Sequence, residues 1–445
     1  MTEELAAQTP LLYRVLSLGG VFVFVFIAWL LSNNRKEVSW KTVAWGVALQ
    51  FIFGLIVLHP AMQDFFFTMV NGGVNRLLSF SEEGATFLFG SMEAHVVQTV
   101  DLATGEKTEK TVIGSVAPGM KNLAFWLILP TIIFFSSLMS ILYHLGIMQR
   151  IVWVIAWLMQ RTMGTSGPES LSAAANIFVG QTEAPLVVKP YIDNLDDSEL
   201  HAIMTSGFAT VAGGVMAAYV GFLQSSIPTI AGHLVAASIM SAPAALAISK
   251  VMYPMPKDKI GSEEIDLNVD SSYKNLIEAA SQGALEGMKL VLNVLAMLIA
   301  FVGLIAMVNF GLSIIEIGGE PLTLQQILGW LFAPLAFCMG VPWSEAGLIG
   351  TLLGEKLVLT EFIAYLHLGE IMANQPGALS ERSALIASYA LCGFANFASI
   401  GIQIGGIGGI APSKLSALSQ MGLKAMIGGT LAAFMTATIA GVLIG

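Results

Sequence analysis

The sequence predicts an all-α polytopic membrane protein of about eight transmembrane helices, with two re-entrant hairpins, two broken helices and an inverted internal repeat. Three observations carry that prediction. The first is composition. Of the 445 residues, 55% are hydrophobic and only 11% charged, and mean hydropathy is +0.76, whereas ordinary soluble domains carry about 25% charged residues. The second is a series of apolar runs at 15–32, 43–60, 123–145, 202–224, 231–252, 287–316, 383–404 and 424–445. These lengths match the ~20 apolar residues that cross a ~30 Å hydrocarbon layer. The third is a polar interruption that occurs twice, once in each half of the chain.

The first run lacks a small-residue cleavage site and a second run follows it, so it reads as a helix rather than a signal peptide. Basic residues in short loops stay cytoplasmic. Arg35, Lys36 and Lys41 therefore place 33–42 inside, and Arg150 and Arg161 place 148–165 inside. Segment 61–122, where acidic residues outnumber basic ones, reads as a loop outside. An even number of spans then puts both termini on the periplasmic or extracellular side of the cell inner membrane, with lipid around the helices.

Other chemistries find no support. The net charge of −10, from 20 basic and 30 acidic residues, is spread over loops. No basic stripe interleaved with aromatics points to nucleic acid. Cys338 and Cys392 lie in apolar surroundings and form neither a disulfide framework nor a metal cluster. The sequence contains no HExxH, nucleophile elbow, phosphate loop or DxDxD calcium pattern. His367 and Glu370 read as a solvated helical pair.

The repeat occupies 181–213, QTEAPLVVKPYIDNLDDSELHAIMTSGFATVAG, and 359–401, LTEFIAYLHLGEIMANQPGALSERSALIASYALCGFANFASIG. Each copy runs from Thr-Glu through an apolar stretch, a polar loop and an apolar run to Gly-Phe-Ala and a polar residue. The first copy contains Thr182-Glu183 and Gly207-Phe208-Ala209-Thr210; the second contains Thr360-Glu361 and Gly393-Phe394-Ala395-Asn396. Upstream, Pro168-Glu169-Ser170 and Pro342-Trp343-Ser344-Glu345 each open a short apolar arm. Secondary transporters are often built from two repeats of opposite topology, with substrate sites where broken helices meet near the midplane.

Arms 170–180 and 184–192, and likewise 346–359 and 362–368, are too short to span separately. Each pair predicts a hairpin that enters and leaves on one side. Irregular backbone at its tip is tolerable only where protein or a water-filled cavity surrounds it. The first hairpin starts from the cytoplasmic side and the second from the opposite face, so the two tips converge.

The runs TSGFATVAGGV (205–215) and CGFANFASIGIQIGGIG (392–408) place Gly, Thr, Asn396, Ser399 and Gln403 inside spanning segments. Unwinding there frees carbonyls and half-helix ends that can hold a cation or a polar ligand. The plainer alternative is that these small residues only permit close helix packing. The repeat divides the chain into 1–145, the first three spans as scaffold, and 146–253, the first repeat with its interfacial helix, hairpin, broken helix and following span. Residues 254–318 hold the polar cytoplasmic loop KDKIGSEEIDLNVDSSYK and a central oligomerisation helix, and 319–445 hold the second repeat.

GQTEAP at 180–185, GVPWSEA at 340–346, KLVLTEFIAY at 356–365 and GFANFASI at 393–400 together resemble the concentrative nucleoside transporters. The resemblance runs from about residue 124 to the C-terminus and is weakest in the first hundred residues. It implies a homotrimer of eight-helix protomers with two re-entrant hairpins, each preceded by an interfacial helix. It also implies nucleoside uptake coupled to an inward sodium gradient, or to protons as in some bacterial members. Carried over by position, Gly180, Gln181, Thr182 and Glu183 contact the nucleobase, and Val215 packs against it. Glu361 binds the ribose hydroxyls, and Phe394, Asn396 and Ser399 surround the sugar. The resemblance puts the sodium ligands at Asn176, the Val179 carbonyl, Thr210 and the Val211 carbonyl. A serine is common where Thr210 stands, and the hydroxyl is retained.

The residue types suit that chemistry. An amide and a hydroxyl pair with base edges, and an ionised carboxylate accepts two hydrogen bonds from adjacent ribose hydroxyls. Without an arginine fork in these motifs the pocket suits nucleosides over nucleotides. Intramembrane carboxylates are costly and default to function. The alternative for Glu183 and Glu361 is turn capping, or pairing with Lys189 and Lys356. Glu169 and Glu345, which open hairpin arms near an interface, are left outside the site because acidic groups there only stabilise helix N-termini. An intramembrane hydrolase using the paired carboxylates is the competing class; it would need a water path and a scissile bond at both acids.

Overall fold

The computed structural model describes residues 11–58, 60–89, 94–100, 107–113, 124–255, 273–317 and 319–444. The polar loop expected at 257–274 lies almost wholly outside the described residues. Two apolar helices come first, α1 (Leu11–Leu30) and α2 (Trp40–Leu58). On α1 the buried residues Ser17, Gly20, Val21, Phe24 and Ala28 form one stripe of a 3.6-residue helix. Phe22 and Phe26 remain exposed on its other side, as lipid-facing residues are.

Segment 61–122 is not merely a loop. It carries a long helix, α3 (Pro60–Phe89), and an antiparallel hairpin of β1 (Ala94–Val100) and β2 (Lys107–Ile113), with Ala94 opposite Ile113. Polar residues such as Asn71, Asn75 and Arg76 interrupt the apolar pattern of α3, so it shows no spanning run. Asn71 Oδ1 accepts the Gly232 N–H at 3.0 Å, and Phe67 packs on the His233 ring.

The next helix, α4 (Ala124–His144), turns by 79° into α5 (Ile147–Met163). The first hairpin follows, made of α6 (Gly167–Ala175), an irregular tip and a 3-10 segment at Ala184–Asn194. Then come α7 (Asp197–Ala209) and α8 (Gly213–Leu223), interrupted at 210–212, and the almost wholly buried α9 (Ile230–Met252). The long α10 (Leu276–Leu312) starts well before the apolar run at 287–316, because Asn275 caps it by accepting the Glu278 N–H at 2.9 Å.

A short ribbon of β3 (Glu316–Ile317) and β4 (Glu320–Pro321) leads to α11 (Leu324–Cys338), which meets α12 (Trp343–Val358) at 119°. With α13 (Glu361–Asn374), α12 forms the second hairpin. The second broken helix is α14 (Glu381–Leu391) plus α15 (Phe397–Ile410), and α16 (Leu415–Leu443) ends the chain. The two halves thus repeat one order: a helix joined by a sharp bend to a neighbour, hairpin, broken helix, span. Helices α1 and α2 pack on α16 and α9, while α4 packs on α10 and α8.

The two breaks touch. The Phe394 N–H donates to Thr210 O at 3.3 Å. Gly393 has φ +136°, and a Cβ there would stand 2.7 Å from Phe208 O. Both strain and overlap oppose any side chain at Gly393. Gly393→Ala is expected to lower thermal stability in detergent by about 1–3 kcal/mol. Gly401→Ala, where an added Cβ meets nothing within 4 Å, should not. Equal melting of both variants with wild type would refute this crossing geometry.

Each hairpin is pinned at its root by a buried cation. Lys250 Nζ lies 2.5 Å from Glu169 Oε2 and also donates to Ser198 Oγ at 2.9 Å. The Ser166 N–H donates to Glu169 Oε1 at 2.8 Å. Glu169 stabilises the start of α6, as expected of an acidic group there, and is also fully buried, with α9 bringing Lys250 to it. At the other root Arg382 donates to Gly340 O at 2.6 Å and Gly441 O at 2.7 Å. Glu345 is half-buried and accepts from Ser380 N and Oγ. His367 does not pair with Glu370; its Nδ1 lies 2.9 Å from Glu355 Oε2 and so joins the two arms of the second hairpin.

Candidate functional site

The first hairpin tip begins where Asn176 ends α6. Phe178 O then accepts the Gly213 N–H at 3.1 Å, which fastens the tip to the break between α7 and α8. From this anchored turn Gln181 reaches in two directions. Its Nε2 donates to Ser399 Oγ at 3.2 Å, and its Oε1 accepts from Gln403 Nε2 at 3.0 Å. Gln403 also donates to Met204 O at 3.1 Å, so one amide pair links the tip to both broken helices. Thr182 Oγ1 donates to Glu183 Oε1 at 2.9 Å.

The second tip is shorter. Thr360 is extended, and Glu361 opens α13 as a buried carboxylate with defined partners. Its Oε1 accepts from Tyr219 OH at 2.9 Å and its Oε2 from Asn396 Nδ2 at 3.0 Å. Asn396 caps α15 by accepting the Ser399 N–H at 2.9 Å, so its orientation is determined by the helix start. Among the described residues Lys356 makes no ion pair with Glu361; it donates to Ala390 O at 2.9 Å. Lys189 is exposed.

Between the tips lies a cavity of about 560 Å³. Gly180, Gln181, Thr182, Glu183, Val215, Glu361, Phe394, Asn396 and Ser399 all line it, as does Val179. Residues from four separate segments therefore converge on one space. Asn176, Thr210 and Val211 do not line this space and are buried. Asn176 Nδ2 donates to Ser172 O at 3.1 Å, which leaves Asn176 Oδ1 buried without a partner among the described residues. Thr210 Oγ1 donates to Ser206 O at 2.8 Å. Among the described residues no main-chain N–H donates to Val179 O or Val211 O. Buried acceptors left unpaired cost free energy, and a neutral-oxygen set of this kind fits a hard monovalent cation. No cluster of three or more His, Cys, Asp or Glu side chains that could hold a metal occurs among the described residues.

Sequence reasoning missed Tyr219, which stacks on Tyr365 at 4.1 Å while binding Glu361. Its signal was a lone hydroxyl in the apolar run MAAYVGFL. It saw Gln403 but gave it no partner. It also missed another wall of the cavity, where Tyr143 on α4 and Glu286, Lys289 and Asn293 on α10 face the same space. The available signal was polar residues three and four apart in a helix that is otherwise apolar.

Comparisons with known proteins cover most of the chain. Residues 19–92 match the family described as Na+ dependent nucleoside transporter N-terminus, 125–226 match Nucleoside recognition, and 233–441 match Na+ dependent nucleoside transporter C-terminus. An uncharacterized transporter of Haemophilus influenzae is 44% identical over 437 residues, spanning 96% of this chain and 97% of that one. Nucleoside permease NupC of Helicobacter pylori is 39% identical over 433 residues, with 96% and 97% covered. Sodium/nucleoside cotransporter 1 of Mus musculus is 39% identical over 453 residues; the match takes in 98% of this chain but only 64% of that longer protein. Among solved structures, CNTnw in an inward-facing substrate-bound state superposes with a TM-score of 0.83 at 39% identity, covering 97% of this chain and 98% of that one. A CNTnw variant in an outward-facing state gives 0.84 at 38% identity, with 98% of both chains covered.

Proposed function

Because the chain belongs to the concentrative nucleoside transporter family and is a nucleoside transporter, we propose that it imports nucleosides by symport with sodium, through alternating access to the cavity between the two hairpin tips. One observation carries this reading. A buried carboxylate, Glu361, is held by Tyr219 and Asn396 at one tip, and the amide, hydroxyl and carboxylate of Gln181, Thr182 and Glu183 stand at the other. Glu361, Asn396 and Ser399 take the ribose, with Phe394 beside it. Gly180, Gln181, Thr182 and Glu183 read the base, against which Val215 packs.

Sodium binds behind the cavity at Asn176, Thr210 and the carbonyls of Val179 and Val211. The unpartnered Asn176 Oδ1 supports that assignment, since a sodium ion is coordinated by oxygen lone pairs whereas a proton needs a titratable base. Uptake of uridine and other nucleosides into proteoliposomes, with sodium and pH gradients imposed separately, tests the coupling. Sodium-driven uptake is the expected result; equal uptake from a pH gradient in sodium-free buffer would establish the proton-coupled alternative. Asn176→Ala should raise the sodium concentration for half-maximal uptake by roughly tenfold, about 1.4 kcal/mol of lost cation affinity, and leave assembly unchanged. An unaltered sodium dependence would remove Asn176 from the ligand set.

The working unit is a homotrimer in the cell inner membrane, with both termini outside and 254–318 supplying its central helix. The C-terminal half of α10 leaves Ile299, Val302, Met307 and Phe310 exposed in the isolated chain, an apolar face for a neighbouring protomer. Mass measurement in detergent should give three copies; a stable monomer competent for uptake would exclude the trimer.

A further inference from the structure

One wall of the cavity is charged, and the nucleoside contacts assigned above do not use it. Glu286, Lys289 and Asn293 line the cavity from one face of α10, and Tyr143 and Gln149 line it from the corner between α4 and α5. Among the described residues neither Glu286 nor Lys289 makes an ion pair. The Tyr143 hydroxyl and Gln149 Oε1 are buried polar atoms with no hydrogen-bond partner. Charges inside a membrane are expensive and retained for function, and unsatisfied buried groups add to that cost.

We propose that this wall is a subsite for a zwitterionic, amino-acid-type substituent carried on the nucleobase, so that base-modified nucleosides of that class are substrates. Lys289 takes the carboxylate, Glu286 takes the ammonium, and the Tyr143 hydroxyl and Gln149 Oε1 complete the hydrogen bonds. Residues at i and i+3 face the same way on a helix, with Cβ atoms about 5–6 Å apart, which suits two opposite charges on one small group. The mixed charge argues against simpler ligands. A phosphate drawn by Lys289 would meet Glu286, and Glu183 from the tip lines the same cavity. A polyamine would meet Lys289. Position favours the base end: Ile132 and Ser136 on α4 stand against both Gly287, beside Glu286, and Gly214, beside Val215. The cavity, about 560 Å³, falls in the range of about 300–1,000 Å³ typical of pockets that hold drug-sized ligands. The inference rests on the nucleoside reading of the tips.

Equilibrium binding to the full-length protein in nanodiscs tests it, with uridine, 5-methyluridine, 3-methyluridine, 5-carboxymethylaminomethyluridine and 3-(3-amino-3-carboxypropyl)uridine as probes. At least one amino-acid-bearing probe should bind more tightly than the uridine methylated at the same position. Lys289→Met and Glu286→Gln should each weaken that probe by roughly tenfold or more, the loss of a charge-assisted hydrogen bond, and leave uridine unchanged. If both amino-acid probes bind no better than their methylated counterparts, or if the substitutions weaken uridine equally, the subsite is refuted. A wild-type protein that binds none of the five overturns the nucleoside assignment of the tips, and the subsite with it.

Discussion

Lys250→Met should be among the most destabilising single substitutions in this chain, at a cost of about 3–5 kcal/mol, because it strands a buried carboxylate without its counter-charge. Glu169 is fully buried and meets Lys250 Nζ at 2.5 Å. The Ser166 N–H remains bonded to its other oxygen, but one neutral donor does not replace a cation. Glu169→Gln alone should also destabilise, by leaving Lys250 with only Ser198 and the amide. The double substitution removes both charges and should recover most of the loss, since a buried pair replaced by neutral groups is often close to neutral in net energy. Thermal unfolding of the four proteins in one detergent measures this. Additive losses in the double variant would show that the two residues act independently.

The second large effect belongs to Glu361. Both of its oxygens already accept hydrogen bonds, from Tyr219 and Asn396, and an ionised carboxylate retains lone pairs for two ribose hydroxyls. Glu361→Gln turns one acceptor into a donor facing other donors. Uridine binding should fall by about 1.5–3 kcal/mol, roughly one to two decades. The fall should be small for 2′,3′-dideoxyuridine, which lacks the hydroxyls. Glu183→Gln should weaken both compounds by similar factors, as its proposed place at the base requires. Equal loss of uridine and the dideoxy compound in Glu361→Gln would mean that the carboxylate holds the hairpin rather than the sugar.

Much of this arrangement was legible in the sequence for a physical reason. Thr182-Glu183, Thr360-Glu361 and the two Gly-Phe-Ala motifs are polar or flexible interruptions in apolar surroundings, where few alternatives are tolerable. They fall on hairpin tips and helix breaks in the structure. What escaped depends on pairing across long sequence distances. Tyr219 and Glu361 stand 142 positions apart, and nothing local to either announces the other. Lys250 reads as the basic end of a span until α6 is packed against it. Helix α3 escaped because it was sought as a spanning run, and its polar residues break that pattern. The charges on α10 escaped because an apolar average conceals a single polar face.

The contact between the two breaks has a thermodynamic consequence. Thr210 offers its hydroxyl to the proposed cation set, while its carbonyl accepts the Phe394 N–H at 3.3 Å. With sodium at the proposed set, one residue would belong to both ligands' surroundings, through its hydroxyl on one side and its carbonyl on the other. Linkage makes that influence symmetrical: whatever factor the cation adds to nucleoside affinity, the nucleoside must add to cation affinity. With sodium bound there, a residue shared in this way would let each cargo hold the other in place.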